Sequence, residues 1–324
     1  MLKPPLFWKK FGLINFLLLP FSGIYFLFYF FYKKFNKEVK INVPVICVGN
    51  IVLGGAGKTP FSIKLRQLLS KNFSKIYILT RGYKGKKKGP LIVNQNMNYN
   101  DVGDESLIHS YYGLTCMSKS KVEGARLCVR NHADLIILDD GFQSKNIIKN
   151  FSILILDPDF GIENKYLFPA GPLRQPFKEA IKKCDAILIL DEDFRKKNYD
   201  FIEHKNIFFG LKKMSVKKLK NKNVLAFSGL GNNYNFFKGL KKLNIQAEEV
   251  ISFPDHHRYT SEEIQNIIKR AEKKNLSIVC TKKDYIKIPK KFRKKIFSID
   301  LDISINQPKK LHNLIIKKLK KAST

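Results

Sequence analysis

The chain has 324 residues, 44% hydrophobic and 12% aromatic, which is enough to bury one large or two ordinary cores and rules out global disorder. Its five cysteines, Cys47, Cys116, Cys128, Cys184 and Cys280, stand singly with no CxxC pair, which argues against a disulfide scaffold or a zinc ribbon and fits a reducing compartment. The formal charge is +33, but only nine of the sixty basic residues are arginine; base readout favours arginine's bidentate fork, which counts against nucleic acid, and the lysines point first to solvated surfaces and otherwise to an anionic partner, for which an acidic membrane or a phosphorylated substrate serves as well as nucleic acid.

The first element in the chain is apolar. Phe11 to Tyr32 carry no charged side chain, and about twenty such residues can cross a bilayer as a helix. Pro20 and Gly23 interrupt the run, so a kinked or re-entrant course also fits. The run ends in Tyr32-Lys33-Lys34 rather than in small residues, unlike a cleaved signal peptide. Lysines flank both ends (Lys9, Lys10, Lys33, Lys34, Lys37), so the segment itself sets no orientation. A buried core helix is the plainer alternative; the lysine brackets and the aromatic end favour a membrane anchor or an interfacial helix. No second run of this length follows, which excludes a polytopic transporter and leaves a soluble body from about residue 38.

That body alternates short β-branched runs with amphipathic stretches. Strands are predicted at Val43–Gly49, Lys75–Leu79, Leu135–Leu138, Ser152–Leu156 and Ala186–Leu190, and helices at Thr59–Ser70, Asp104–Tyr111 and Lys121–Asn131. Buried strands alternating with helices predict a mostly parallel sheet covered on both faces. A lysine-rich, weakly patterned stretch, Lys212 to Asn223, reads as a boundary. After it come strands Val224–Ser228, Ala247–Phe253, Ser277–Thr281 and Ile296–Ile299, with helices Tyr234–Leu243 and Ser261–Lys274 and a closing helix Pro308–Lys321. The expected organisation is therefore α/β: a membrane-associated helix (1–37), a P-loop NTPase-like domain with a mostly parallel sheet (38–212) and a smaller C-terminal α/β domain that includes the closing helix (213–324).

Gly54-Gly55-Ala56-Gly57-Lys58-Thr59-Pro60 follows a strand and opens a helix, the context of a phosphate loop. Its glycines let backbone amides approach phosphate oxygens at a helix N-terminus. Lys58 would reach the β- and γ-phosphates, and Thr59 would hold Mg²⁺. The strict pattern wants a further glycine where Val52 stands. Leu135 to Leu138 followed by Asp139 and Asp140 place a carboxylate at a strand end, as a Walker B magnesium site requires. Asp104 and Glu105, after Val102-Gly103, are either reacting acids or ordinary first-turn helix caps. Phe253-Pro254-Asp255-His256-His257-Arg258-Tyr259 holds two of the six histidines; it lacks nearby metal partners but could orient a base for phosphoryl transfer, or simply be a polar loop. Thr281-Lys282-Lys283-Asp284 matches a loose guanine-binding pattern, without the DxxG element that should accompany it.

Taken together, these blocks resemble the tetraacyldisaccharide 4′-kinases of lipid A synthesis, in order and over nearly the whole chain. The resemblance rests on Pro5-Leu6-Phe7-Trp8 with the apolar helix, and on Val48-Gly49-Asn50 through Pro60, whose loop also lacks the early glycine in that family. It continues through Thr80-Arg81-Gly82-Tyr83, Val102 to Glu105, Asp139-Asp140-Gly141-Phe142-Gln143 and Phe168-Pro169-Ala170-Gly171-Pro172-Leu173-Arg174. In the second domain it includes Ala226 to Asn232, Pro254 to His257 and Thr281 to Asp284. It implies transfer of the γ-phosphate of ATP to the 4′-hydroxyl of a tetraacylated glucosamine disaccharide 1-phosphate in the cytoplasmic leaflet of the inner membrane. By resemblance, Asp104 is the base, with His256 favoured over His257 as its partner. Lys58 and Thr59 take phosphates and Mg²⁺. Glu105, Asp139, Asp140 and Gln143 form the metal set and its surroundings. Arg81 and Arg174, with His257, meet anionic substrate groups.

There are departures from the family pattern. Ser144 stands where a histidine usually follows Asp-Asp-Gly-Phe-Gln, Lys121 where an arginine is common, and Lys282 where the late block usually has glutamate. None removes the phosphate loop, Asp104 or the histidines, so an active enzyme is expected, with the second domain closing to bring the Asp-His-His loop towards Asp104. Two rivals remain at this level: a membrane-associated P-loop NTPase switch without lipid kinase activity, and a nucleic-acid NTPase. The scarcity of arginine and the apolar anchor count against the second.

Overall fold

The structure is a computed structural model, and it describes residues 5–322 except 36, 54–56, 159–163, 192–198, 200–201, 217–218, 220 and 232. The chain forms two compact units, one of residues 5–212 with 303–322 and one of residues 213–302.

The first unit begins with α1 (Leu13–Phe35) and then winds β1 (Val45–Gly49), α2 (Lys58–Leu69), β2 (Ile76–Thr80), β3 (Leu91–Ile92), α3 (Tyr99–Val102), α4 (Asp104–Ser110), β4 (Thr115–Met117), α5 (Lys121–Arg130), β5 (Leu135–Asp139), β6 (Phe151–Leu156), α6 (Phe177–Lys183), β7 (Ala186–Leu190) and β8 (Ile207–Val216). The strands lie in the order β8-β7-β6-β1-β5-β2-β4-β3. The pairings described are parallel except β3 with β4. Strands β1, β2, β5, β6 and β7 are buried along their whole length, which is why they read as continuous apolar runs rather than alternating ones. Register sets Val48 opposite Asp139, so the loop after β1 and the acids ending β5 leave the sheet side by side, as a ligand crevice at the carboxyl ends of strands requires.

The second unit contains β9 (Asn223–Ser228), α7 (Asn233–Lys242), β10 (Gln246–Ser252), α8 (Ser261–Lys273), β11 (Ser277–Thr281), α9 (Lys282–Tyr285) and β12 (Ile296–Ile305). Its strands lie in the order β10-β9-β11-β12, all parallel. Two expectations change here. Strand β8 runs on through Val216, into the lysine-rich stretch read as a boundary; of its adjacent lysines, which point to opposite faces, Lys213 is exposed while Lys212 pairs with the buried Asp157 at 2.6 Å. The closing helix, α10 (Pro308–Lys321), does not belong with its sequence neighbours. Leu311, Ile315 and Leu319 enter the core built by Ile46, Val48, Phe61 and Ile153 in the first unit, so the second unit is an insertion between β8 and α10.

Helix α1 is inside out relative to an ordinary amphipathic helix. Pro20 lies within it without ending it. Its apolar residues, among them Leu13, Phe16, Leu17, Phe21, Phe28 and Phe35, are exposed. Its inward stripe is polar, with residues spaced three, four and seven apart. Asn15 Nδ2 donates to the carbonyls of Phe7 and Ala170, each at 2.8 Å. The Ser22 hydroxyl donates to Leu167 O at 2.9 Å and accepts from Ala170 N at 3.1 Å. Tyr25 OH donates to Arg174 O, and Tyr29 OH to Glu179 Oε1, each at 2.9 Å. Lys33 Nζ also reaches Glu179, at 2.9 Å. A buried core helix would show the reverse pattern. This exposed apolar surface is one that lipid would cover, and the helix is long and apolar enough to cross a membrane by length and composition.

Glu179 fastens the last turns of α1. Burial opposes its charge, but Lys183, Lys33 and Tyr29 outweigh this and hold its carboxyl at about 2, against an ordinary 4.5. A depressed carboxyl stabilises above its unfolded value and loses that contribution as pH falls through the folded one. Docking of α1 is thus expected at full strength above about pH 4.5 and to weaken towards pH 2. The chain's single tryptophan, Trp8, donates its indole N–H to Pro169 O at 2.9 Å and reports this docking by fluorescence. Glu179→Gln should abolish that pH step while leaving the remaining acid transition; an unchanged step would refute the assignment to Glu179.

Candidate active site

The phosphate-loop region grows from the end of β1. Gly49 is required there: a Cβ on it would lie 2.5 Å from Phe142 Cβ and 3.0 Å from Phe142 N, so the Val48-Gly49-Asn50 and Asp139-to-Gln143 blocks pack backbone on backbone. Gly54, Gly55 and Ala56 lie outside the described residues. Gly57 follows with φ +66°, in the left-handed region glycine tolerates, and leads into α2. Pro60 occupies the first turn of α2, where its missing N–H costs nothing. Lys58 Nζ donates to Asn50 Oδ1 at 3.1 Å and lies 3.5 Å from Asp140 Oδ1. Thr59 Oγ1 donates to Asp139 Oδ2, and Ser62 Oγ to Asp139 Oδ1, each at 3.2 Å. Asp140 has φ 56°, a conformation that is costly for a non-glycine residue and that recurs at functional sites. Gln143 Nε2 donates to Asn50 O at 2.8 Å, and Arg174 Nη1 reaches Asp140 Oδ2 at 3.4 Å and Gln143 Oε1 at 3.5 Å. The backbone of Arg174 donates to Ile51 O at 2.7 Å. Six of the predicted residues therefore meet here, Thr59 with Asp139 and, around Asn50, Lys58 with Asp140, Gln143 and Arg174, the two groups adjoining where the chain runs Lys58-Thr59 and Asp139-Asp140.

Beneath this network are two residues the motifs did not single out for a role. His109 is fully buried on α4, and its Nε2 lies 2.7 Å from Asp139 Oδ2. Lys121, the first residue of α5, is buried too and donates to Leu79 O at 3.1 Å and Asp139 O at 3.4 Å. Burial raises the Asp139 carboxyl, but the hydrogen bond and charge of His109, with Lys58 and Lys121, more than offset it and keep the group below the usual carboxylate range. Burial pushes the Lys121 ammonium down, with Asp139 and Asp140 opposing. Hydrogen-bonded partners of a ligating carboxylate fix its orientation, and their loss typically costs about 10- to 100-fold. His109→Leu is expected to lower turnover by about that factor. His109→Gln, whose Nε2 can donate from the imidazole Nε2 position, should recover most of it. Steady-state kinetics with melting curves checks this, and equal losses in the two variants would refute it.

Asp104 and Glu105 open the same helix that carries His109. Asp104 is buried, and its Oδ1 accepts from Glu105 N at 3.0 Å. The turn before it is built from mutually packed glycines. Gly103 has φ +83°, and a Cβ there would meet Tyr83 O at 2.6 Å; a Cβ on Gly85 would meet Gly103 N at 2.7 Å. The Thr80 and Ser106 hydroxyls pair at 2.6 Å. The Thr80-to-Tyr83 and Val102-to-Glu105 blocks thus form one interlocked corner, with Arg81 exposed at the end of β2.

The second unit places its two histidines differently. His257 Nε2 lies 3.0 Å from Glu263 Oε1, and its ring stacks on Phe253 at 4.6 Å. Glu263 also closes a capping box with Thr260 at the start of α8. His256 has φ 61°, and its Nε2 lies 3.2 Å from Lys283 Nζ, which is also 3.4 Å from Asp255 Oδ1. Asp284 does not face a base. It is fully buried, accepts from Thr281 Oγ1 at 2.6 Å and Gly229 N at 3.1 Å, and pairs with the buried Lys287 at 3.0 Å. The guanine-like pattern is therefore a structural clamp, which overturns the element that would have suited a GTP switch.

Among the described residues no group of three or more His, Cys, Asp or Glu could hold a metal. Mg²⁺ keeps several waters and binds through one or two carboxylates plus substrate phosphates rather than a protein cage. The hard oxygens of Thr59 and Asp139, already within 3.2 Å of each other, are the donor pair such a site uses.

A mostly parallel sheet whose first strand is followed by Gly57-Lys58-Thr59 opening a helix, with an aspartate at the neighbouring strand end beside that threonine, is the arrangement used by nucleotide-phosphate proteins. The family model described as tetraacyldisaccharide-1-P 4′-kinase matches residues 14–320. The tetraacyldisaccharide 4′-kinase of Rickettsia canadensis is 34% identical over 316 residues, 97% of this chain and 97% of that protein. The enzyme of Bartonella quintana is 33% identical over 291 residues, 88% of this chain and 84% of its own. A crystal structure of "apo" form LpxK from Aquifex aeolicus in complex with ATP superposes with a TM-score of 0.79 at 31% identity, covering 95% of this chain and all of that one. The chain belongs to the tetraacyldisaccharide-1-P 4′-kinase family, as the resemblance implied.

Proposed function

We propose that the protein transfers the γ-phosphate of ATP to the 4′-hydroxyl of a tetraacylated glucosamine disaccharide 1-phosphate, the lipid A precursor, at the cytoplasmic face of the inner membrane. The observation that carries this reading is one hydrogen bond. Tyr25 of the outward-apolar helix donates to the carbonyl of Arg174, and the Arg174 side chain reaches Asp140 and Gln143 of the phosphate network. A lipid-facing surface and a nucleotide-phosphate site are thus joined through one residue. Helix α1 is fastened to the body from Asn15 to Lys33, which supports immersion of its apolar face in one leaflet rather than a free-standing span.

In this reading the backbone of the glycine loop and Lys58 hold the ATP phosphates, and Lys58 meets charge that develops on the transferring group. Thr59 and Asp139 hold Mg²⁺, with Asp140, Glu105 and Gln143 around them; bound there, the ion would neutralise phosphate charge. Asp104 accepts the proton of the attacking 4′-hydroxyl. His256 is the histidine assigned to assist it, as the resemblance implies. Arg81 and Arg174 are placed for anionic groups of the substrates. The test is transfer of labelled γ-phosphate from Mg·ATP to the detergent-dispersed acceptor by the purified full chain. Label in the 4′-monophosphate product is the expected result; well-folded, ATP-binding protein that never labels the acceptor would overturn the proposal.

A further inference from the structure

Four lysines gather where α1 ends. Lys33 Nζ lies 2.9 Å and Lys183 Nζ 2.6 Å from Glu179 Oε1. Lys149 Nζ donates to Phe142 O at 3.1 Å. Lys145 is partly buried with its ammonium 5.9 Å from the centre of the Tyr29 ring, and no carboxylate pairs with it among the described residues. Among the described residues the cluster holds four ammonium groups and one carboxylate, a surplus of three positive charges. Ordinary solvated lysines extend into water and do not crowd one another.

The cluster is also aligned with the reacting site. Lys145 is two residues beyond Gln143, which sits in the phosphate network. Tyr25, Tyr29 and Lys33 repeat every four residues on one stripe of α1, contacting first Arg174 and then Glu179. Eight residues of helix advance about 12 Å, so the lysines stand further along the same lipid-facing helix, beyond Arg174.

We propose that Lys33, Lys145, Lys149 and Lys183 form a subsite for a phosphate monoester, and that the ester they take is the 1-phosphate at the end of the lipid acceptor remote from its reacting hydroxyl. This rests on the lipid kinase reading above. A phosphate monoester carries about −1.5 to −2 charges near neutral pH and several strong acceptor oxygens, which matches the surplus. Held at both ends, the disaccharide would be fixed in direction along α1, presenting its 4′ end to the phosphate loop.

The experiment compares wild type, Lys145→Ala/Lys149→Ala and Lys145→Arg on two acceptors, one with the 1-phosphate and one from which it has been removed, in detergent micelles. Equilibrium binding of the labelled 1-phosphate acceptor without ATP is measured alongside. The double variant should raise KM for the phosphorylated acceptor roughly 10- to 100-fold and weaken its binding in parallel, with kcat and the KM for ATP little moved. Lys145→Arg should stay near wild type, and wild type and variants should converge on the dephosphorylated acceptor. An equal KM penalty on both acceptors would overturn the subsite. So would unchanged kinetics with a loss confined to vesicles containing phosphatidylglycerol, which would assign the lysines to bilayer headgroups. If wild type transfers to neither acceptor, the kinase reading fails while the binding arm still decides the subsite: selective loss of 1-phosphate binding in the double variant supports it, and no difference refutes it.

Discussion

Lys58→Ala is expected to reduce phosphoryl transfer about 1,000-fold while leaving the fold intact. A single preorganised donor aimed at developing charge is worth roughly 100- to 1,000-fold, and a cation on a transferring phosphoryl group belongs at the upper end. The side chain is already positioned, since Asn50 Oδ1 holds its ammonium at 3.1 Å and Asp140 stands 3.5 Å away. Those contacts fix where the ammonium stands, so little reorganisation is needed when phosphates arrive. Lys58→Arg should not restore activity, because a planar fork cannot replace a compact point charge. Rates come from single-turnover transfer, and melting temperature controls for folding. A loss under tenfold would remove Lys58 from the transferring phosphate.

The second large effect is expected at Asp104. Asp104→Asn should lower transfer by about 100- to 10,000-fold, the range for a positioned general base, with ATP affinity preserved. The substitution is nearly isosteric, and the amide oxygen can still accept from Glu105 N as Asp104 Oδ1 does at 3.0 Å, so the start of α4 should hold. Asp104→Glu, one methylene longer, should fall between the two. Transfer by Asp104→Asn within tenfold of wild type would place the proton acceptor elsewhere.

The local chemistry could be read from the sequence because it is written in consecutive residues. A glycine loop after a strand, and an acid after four apolar residues, need no distant partner to be recognised. What escaped reading depends on residues far apart in the chain. Asn15, Ser22, Tyr25 and Tyr29 become a docking stripe only when Ala170, Leu167, Arg174 and Glu179 are beside them, about 150 positions later. His109 looks like any helical histidine until the parallel register brings Asp139 against it. Lys121 registers in the sequence only as a replaced arginine, whereas burial makes it a charge beneath the site. The Thr281-to-Asp284 block shows the opposite failure: its pattern is suggestive, but the carboxylate is spent inside the unit on Thr281, Gly229 and Lys287.

The return of α10 to the first unit has a consequence for how the protein is made. Leu311, Ile315 and Leu319 complete a core begun by Ile46 and Val48, so the nucleotide-binding body cannot finish assembling until the ribosome has passed α10. At roughly 5–20 residues per second, the ribosome needs on the order of 15–60 s to travel from α1 to that helix. Throughout that interval the apolar helix α1 is made but lacks a finished body to dock on. Prompt delivery of the nascent chain to lipid, or to a chaperone that shields phenylalanine-rich surface, becomes a condition of productive synthesis.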